Sequence, residues 1–139
     1  MTGEANLWSY VRRNLGPYGR LKRIENRIDK GTPDVAYTIK GVSGWIELKH
    51  VPLAPARATT TIKIPHLTME QVLWLNDERD AGGRAWCLLQ VERKYFLLDP
   101  GIVKTLYEAG FTDAVLPLAA AVFWIQPFPV AAVVKALTS

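Results

Sequence analysis

Residues 31–50 read GTPDVAYTIKGVSGWIELKH, and this stretch constrains the fold more than any other. Two runs rich in apolar and β-branched residues, 34–40 and 45–51, flank the segment GVSG, the pattern of two antiparallel strands joined by a hairpin loop. Asp34, Glu47 and Lys49 stand inside those runs. An ionised side chain in a half-buried strand is costly unless something compensates it, so the three either face solvent or face one another. With the turn centred on residues 42–43, Thr38 opposes Glu47, Ala36 opposes Lys49 and Asp34 opposes Val51. Opposed residues share a face, and alternate residues return to it. Asp34, Glu47 and Lys49 then project from one side together with Trp45, while Val35, Tyr37, Ile46 and Leu48 project from the other. A register slip of two residues keeps this result and a slip of one destroys it.

Two carboxylates held close repel, and one tends to take up a proton. A divalent cation removes the conflict, and oxygen ligands on a sparse, partly open site suit Mg²⁺ or Mn²⁺. A lysine two residues beyond Glu47, on the same face, can hold an attacking water and offset developing negative charge. That is the donor set of metal-assisted phosphodiester hydrolysis.

The remaining elements follow from periodicity and capping. Residues 3–15 form a helix with Glu4, Trp8, Val11 and Leu15 on one stripe, ended by Gly16-Pro17. RLKRIENRI is a first strand or an irregular approach to the hairpin. Residues 51–65, with Pro52, Pro55, Pro65 and a run of threonines, form a loop or edge segment suited to substrate contact. Thr68 and Gln71 open a helix with a capping box; it runs to Asp80 and stops at Gly82-Gly83. RAWCLLQV and YFLLD are two strands joined across Glu92-Arg93. Asp99 caps a further helix with Pro100 at its first position and Gly110 past its end. An apolar segment over 115–125 and a last short helix after Pro129 complete the chain. The order of elements predicts one mixed α/β domain over 1–139, with the motif-bearing core in 1–98 and the helix, apolar segment and last helix in 99–139. Its central mixed sheet has four to five strands, the first ones an antiparallel hairpin, flanked by helices.

Charge and composition narrow the partners. The net charge is +4, and the whole excess lies in residues 1–50, which hold nine Lys/Arg against five Asp/Glu. Seven of the nine are Arg12, Arg13, Arg20, Lys22, Arg23, Arg27 and Lys30. Such clustering suits a polyanion, because each phosphate neutralised releases condensed counterions; the plain alternative is a solvated helix face and loop. The longest apolar run, AVLPLAAAVFWI from Ala114, is too short to span a bilayer. No secretory signal opens the chain, and the lone Cys87 sits in an apolar run, so a cytoplasmic protein with no membrane association is expected. No Gly-rich phosphate loop argues for a nucleotide enzyme, and no His/Cys spacing argues for zinc.

Pro33-Asp34, twelve intervening residues, then Glu47-Leu48-Lys49 resembles the motif of the PD-(D/E)XK nuclease superfamily. The wider stretch from Arg23 to His50 is similar to small VRR-NUC-like proteins of bacteriophages and to Holliday-junction resolvases. LTMEQVLWLNDERDAGGRAWCLL resembles the helix, Gly turn and strand that follow in the same group, and the likeness spans about residues 4–98. It implies a restriction-endonuclease-like core and a Mg²⁺- or Mn²⁺-dependent endonuclease, structure-selective on branched, nicked or single-stranded DNA, serving DNA processing, recombination or repair in a bacterial host cytoplasm if phage-encoded. Asp34, Glu47 and the Leu48 carbonyl would hold the metal, and Lys49 would position water or phosphate. An additional acid is expected from upstream: Glu25 is preferred, with Glu4 competing. The alternative is a catalytically silent nucleic-acid-binding or assembly protein with the same fold, and RNA is the third option as substrate.

Arg20, Lys22, Arg23, Arg27, Lys30, Lys63, His66 and Gln71 are the expected nucleic-acid contacts. Gln71 has an equal claim as the reciprocal partner of Thr68 in the capping box. His50 falls on the face away from the trio. Trp45 shares the trio's face and is the one tryptophan suited to base stacking. The apolar tail from Ala119 suggests a homodimer interface, or else simply closes the core.

Overall fold

The computed structural model describes residues 3–25 and 30–139. Helix α1 (Gly3–Leu15) buries Leu7, Val11 and Leu15, with Trp8 half-buried beside them. The inward stripe is therefore set by Leu7 rather than by Glu4. A 3₁₀ turn at Gly16–Tyr18 carries the chain into strand β1 (Arg20–Arg23), which pairs antiparallel with β2 (Val35–Ile39). Then come β3 (Val42–Val51), α2 (Met69–Asp80), β4 (Ala85–Val91), β5 (Lys94–Leu98) and α3 (Pro100–Glu108). A single turn α4 (Leu116–Ala119), β6 (Val122–Trp124) and α5 (Val130–Leu137) finish the chain.

The strands form one mixed sheet of six in the order β1-β2-β3-β4-β5-β6. Only β3 and β4 run parallel, joined by the α2 crossover; the other pairs are antiparallel. The count exceeds the four to five expected, because β6 lies in an apolar segment without alternation and its three residues gave no strand signal.

The hairpin differs from expectation in register. The turn is Lys40-Gly41, both with positive φ (51° and 76°), a two-residue connection of the primed kind that matches strand twist. Pairing runs Val35↔Ile46, Ala36↔Trp45, Tyr37↔Gly44 and Thr38↔Ser43, four residues from the alignment that set Thr38 against Glu47, Ala36 against Lys49 and Asp34 against Val51. Lysine is a poor marker of positive φ, whereas Gly44, which looked like turn chemistry, lies inside β3. A Cβ at Gly44 would run into the Tyr37 ring, whose hydroxyl donates to the Leu137 carbonyl at 2.8 Å. Four is an even slip, so the assignment of faces survives.

The two faces carry two cores. Val35, Tyr37, Ile39, Ile46 and Leu48 pack with α1 and α5, while Val51, Cys87, Leu89, Phe96 and Leu98 pack with α2 and α3. Buried Asn76 ties α2 to α3, donating to the Val72 and Pro100 carbonyls at 2.8 and 3.0 Å. Among the described residues no helix is long and apolar enough to cross a membrane.

Candidate active site

Asp34 enters β2 from a tightly placed turn. Gly31 has φ 93°, and its α-carbon sits so close to the first turn of α2 that a Cβ would press on the Glu70 carbonyl. Pro33 is buried behind it. From there the Asp34 carbonyl accepts from the Ile24 N–H at 2.7 Å, which extends the β1–β2 ladder past Arg23↔Val35.

The true register sets Asp34 opposite Glu47, a closer juxtaposition than the sequence suggested. The Asp34 N–H donates to Glu47 Oε1 at 3.2 Å, and the Leu48 N–H donates to Asp34 Oδ2 at 2.8 Å. Glu47 is 2% exposed and Lys49 4%; both project to the α2–α3 side. Lys49 Nζ lies 3.8 Å from Glu47 Oε2 and donates to the His66 carbonyl at 3.1 Å. Burial, reinforced by the hydrogen bond and the charge of Asp34, pushes the Glu47 carboxyl far above the usual range, against the opposing pull of Lys49.

One oxygen of each carboxylate is committed to a backbone N–H, which leaves Asp34 Oδ1 and Glu47 Oε2 as donors. Among the described residues no cluster of three or more His, Cys, Asp or Glu gathers here. Two carboxylates forced together, one of them driven toward its neutral form, are relieved by a hard divalent cation. A backbone carbonyl such as that of Leu48 and waters would complete its shell, as suits Mg²⁺ or Mn²⁺.

Among the described residues neither of the expected additional acids joins Asp34 and Glu47 in a cluster of three. Glu25 is exposed just after β1. Glu4 is half-buried in the first turn of α1, and its charge acts with those of Glu47, Asp34 and Lys49 on the thiol of Cys87. Cys87 is the β4 residue paired with Glu47; its thiol is fully buried and pushed up by that burial, so it is inert packing. His50 lies on the α1 side, where a Cβ at Gly3 would strike its imidazole.

The basic residues divide by face. Arg20 and Lys22 pair with Thr38 and Ala36 and share a shallow pocket with them on the active-site side. Arg23 pairs with Val35 and points to the α1 side. Lys30 is exposed in the turn before Gly31, and Arg27 lies outside the described residues. Lys63 lines a cavity of about 350 Å³ between residues 61–67 and the end of α3. Gln71 completes the capping box, accepting from the Thr68 N–H at 3.1 Å while Thr68 Oγ1 accepts from the Gln71 N–H at 3.2 Å. Trp45 is half-buried, edge-to-face with Trp74 of α2 at 5.2 Å, so its ring is already engaged.

One contact to the site was missed. It is the backbone of His66, not its exposed imidazole, that reaches Lys49. Residues 64–67 form a type II turn, with Pro65 at its second position, His66 at φ 65° and the Leu67 N–H donating to the Ile64 carbonyl at 3.4 Å. The Pro-x pair was a partial signal; histidine at the left-handed position hid it. His66→Gly should therefore keep the carbonyl on Lys49 and keep wild-type stability. His66→Val should destabilise the protein by about 1–2 kcal/mol, because a β-branched residue resists that backbone conformation. Thermal melts of the two variants check this; equal behaviour of both would refute the turn's role.

No family model matches the sequence, and no curated protein matches it. Among solved structures, one described as a VRR_NUC domain is 16% identical, covering 80% of this chain and 100% of that one, with a TM-score of 0.48. Hjc of Archaeoglobus fulgidus, described as a Holliday junction resolvase from an archaeal hyperthermophile, is 15% identical, covering 85% of this chain and 94% of its own, with a TM-score of 0.57. At that identity the likeness is one of architecture alone: this chain has a fold similar to that of the Hjc resolvase, a mixed sheet flanked by helices as the sequence resemblance implied.

Proposed function

We propose that this protein is a metal-dependent endonuclease that hydrolyses phosphodiester bonds in DNA, selecting substrates by shape. The observation that carries the reading is the direct opposition of Asp34 and Glu47, with buried Lys49 on the same face. Asp34, Glu47 and the Leu48 carbonyl would hold Mg²⁺ or Mn²⁺. When bound, such an ion acidifies a coordinated water and offsets the charge that builds on the phosphoryl oxygens. Lys49, fixed by the His66 carbonyl, holds the nucleophilic water or a phosphate oxygen without reorganising. Arg20, Lys22, Lys30 and Lys63 would hold the backbone through phosphates, which position a duplex without reading its sequence.

A role in recombination, repair or other DNA processing follows from such selectivity. A homodimer would set two sites against two strands; exposed Leu118, Phe123 and Ile125 near the β6 edge offer apolar surface for it. The test is a panel of supercoiled, single-stranded, nicked, flap and four-way-junction DNA with Mg²⁺, Mn²⁺ or EDTA. Cleavage that needs metal and prefers non-linear substrates is expected. Tight binding with no cleavage under any condition would instead establish a silent DNA-binding protein, and cleavage confined to RNA strands would change the substrate.

A further inference from the structure

Helix α1 and strand β1 bring two guanidiniums to one indole. Arg12, one turn beyond Trp8, has its Cζ 5.9 Å from the ring centroid, and Arg23 has its Cζ at 5.8 Å. Arg13 lies 5.9 Å from the neighbouring Tyr10 ring. All three arginines are exposed, and Trp8 is half-buried against the core. None of them enters an ion pair among the described residues, where the pairs are Lys49–Glu47, Arg79–Asp80 and Lys94–Asp113. The helix dipole accounts for cations in the last turn of α1. It does not account for Arg23, which arrives at the same ring from a different element.

Two like charges on one ring repel and call for an anion. A guanidinium held near a ring face by cation–π attraction still has N–H groups to offer a phosphate in a bidentate bond. A donor ordered beforehand loses less entropy when it binds. We propose that Arg12 and Arg23, held on Trp8, form a second phosphate-binding site for a nucleic-acid backbone, on the face of the sheet opposite the candidate active site. The inference rests on DNA being the substrate and extends it. Because β1 is an edge strand, Arg20 and Lys22 on one face and Arg23 on the other hold backbone on both sides of a single strand edge.

The test measures binding of a fluorescein-labelled DNA duplex by anisotropy over a salt series without divalent metal, with far-UV melts confirming that every variant folds. The pair Arg12→Gln, Arg23→Gln should weaken binding about 10- to 100-fold and flatten the log–log salt slope by about 1.8, and Arg23→Gln alone by about 0.9. The pair Lys104→Gln, Lys135→Gln removes the same charge from α3 and α5 and should leave the slope unchanged. A wild-type slope in the arginine variants overturns the site while DNA binding stands. An equal loss in the lysine pair also overturns it, since bulk charge would then explain the effect. If the wild-type protein binds no DNA at all, the nuclease reading falls, and this site with it.

Discussion

Lys49→Ala is expected to lower the metal-dependent cleavage rate by about a thousandfold and to leave DNA affinity within about twofold of wild type. The separation follows from burial. At 4% exposure the ammonium adds little to the field that attracts DNA from solution. It is nevertheless fixed within the site, 3.1 Å from the His66 carbonyl and 3.8 Å from Glu47 Oε2. A charge so placed acts on the transition state with no cost of reorientation. Truncation also leaves a void and removes the donor to the His66 carbonyl, so the alanine variant should lose about 2–4 kcal/mol of stability. Lys49→Met separates the two effects, because it keeps the length of the stem and loses the charge. Single-turnover cleavage should fall as far in the methionine variant as in alanine, while its melting temperature stays closer to wild type. A methionine variant that cuts at the wild-type rate would reduce Lys49 to packing and remove the chemical argument for the site.

That prediction depends on a geometry that was legible in the sequence for a simple reason. Faces along a strand depend only on the parity of the register, so Asp34, Glu47 and Lys49 were bound to share a side whether the turn lay at residues 42–43 or at Lys40-Gly41. Which residues oppose each other depends on the full register, and there Lys40 misled, since its positive φ has no marker in a lysine. The consequence is material: Asp34 faces Glu47 directly, and their mutual repulsion is stronger than the first alignment implied.

Capping signals were local and held for the same kind of reason. Thr68 with Gln71, and Asp99 with Pro100, satisfy their own helix ends whatever lies around them. What long-range packing decides was not visible. The strand status of β6, the split of Arg23 from Arg20 and Lys22, and the reach of the His66 carbonyl to Lys49 all depend on neighbours distant in the chain. Gly44 is the instructive case. Its absent side chain is needed by Tyr37 across the hairpin, not by a turn.

Without metal, Glu47→Gln should make the protein more stable at pH 8, and with metal it should reverse that order. Glu47 is buried, and its carboxyl is raised from 4.5 to about 9, first by burial and then by Asp34. The folded state therefore binds the proton more tightly than the unfolded chain does. The stabilisation this contributes is complete below pH 4.5 and is lost as pH rises through about 9. At pH 8 most of it has gone, since the unfolded chain ionises freely and the folded one does not. An amide cannot titrate, yet the substituted side chain keeps an oxygen for the Asp34 N–H, so the variant should melt roughly 3–8 °C above wild type, a gain of about 1–2 kcal/mol. At pH 5 the difference should shrink, because wild-type Glu47 is then held neutral at little cost. Adding Mn²⁺ should raise the wild-type melting temperature in proportion to ligation, and more at pH 8 than at pH 6, since binding expels the Glu47 proton. The variant has lost that ligand and should not respond. Melting curves at both pH values, with Mn²⁺ and with EDTA, decide the matter. If Glu47→Gln melts lower than wild type in EDTA at pH 8, and still gains from Mn²⁺, the carboxylates do not form the conflicted pair that the metal is proposed to resolve.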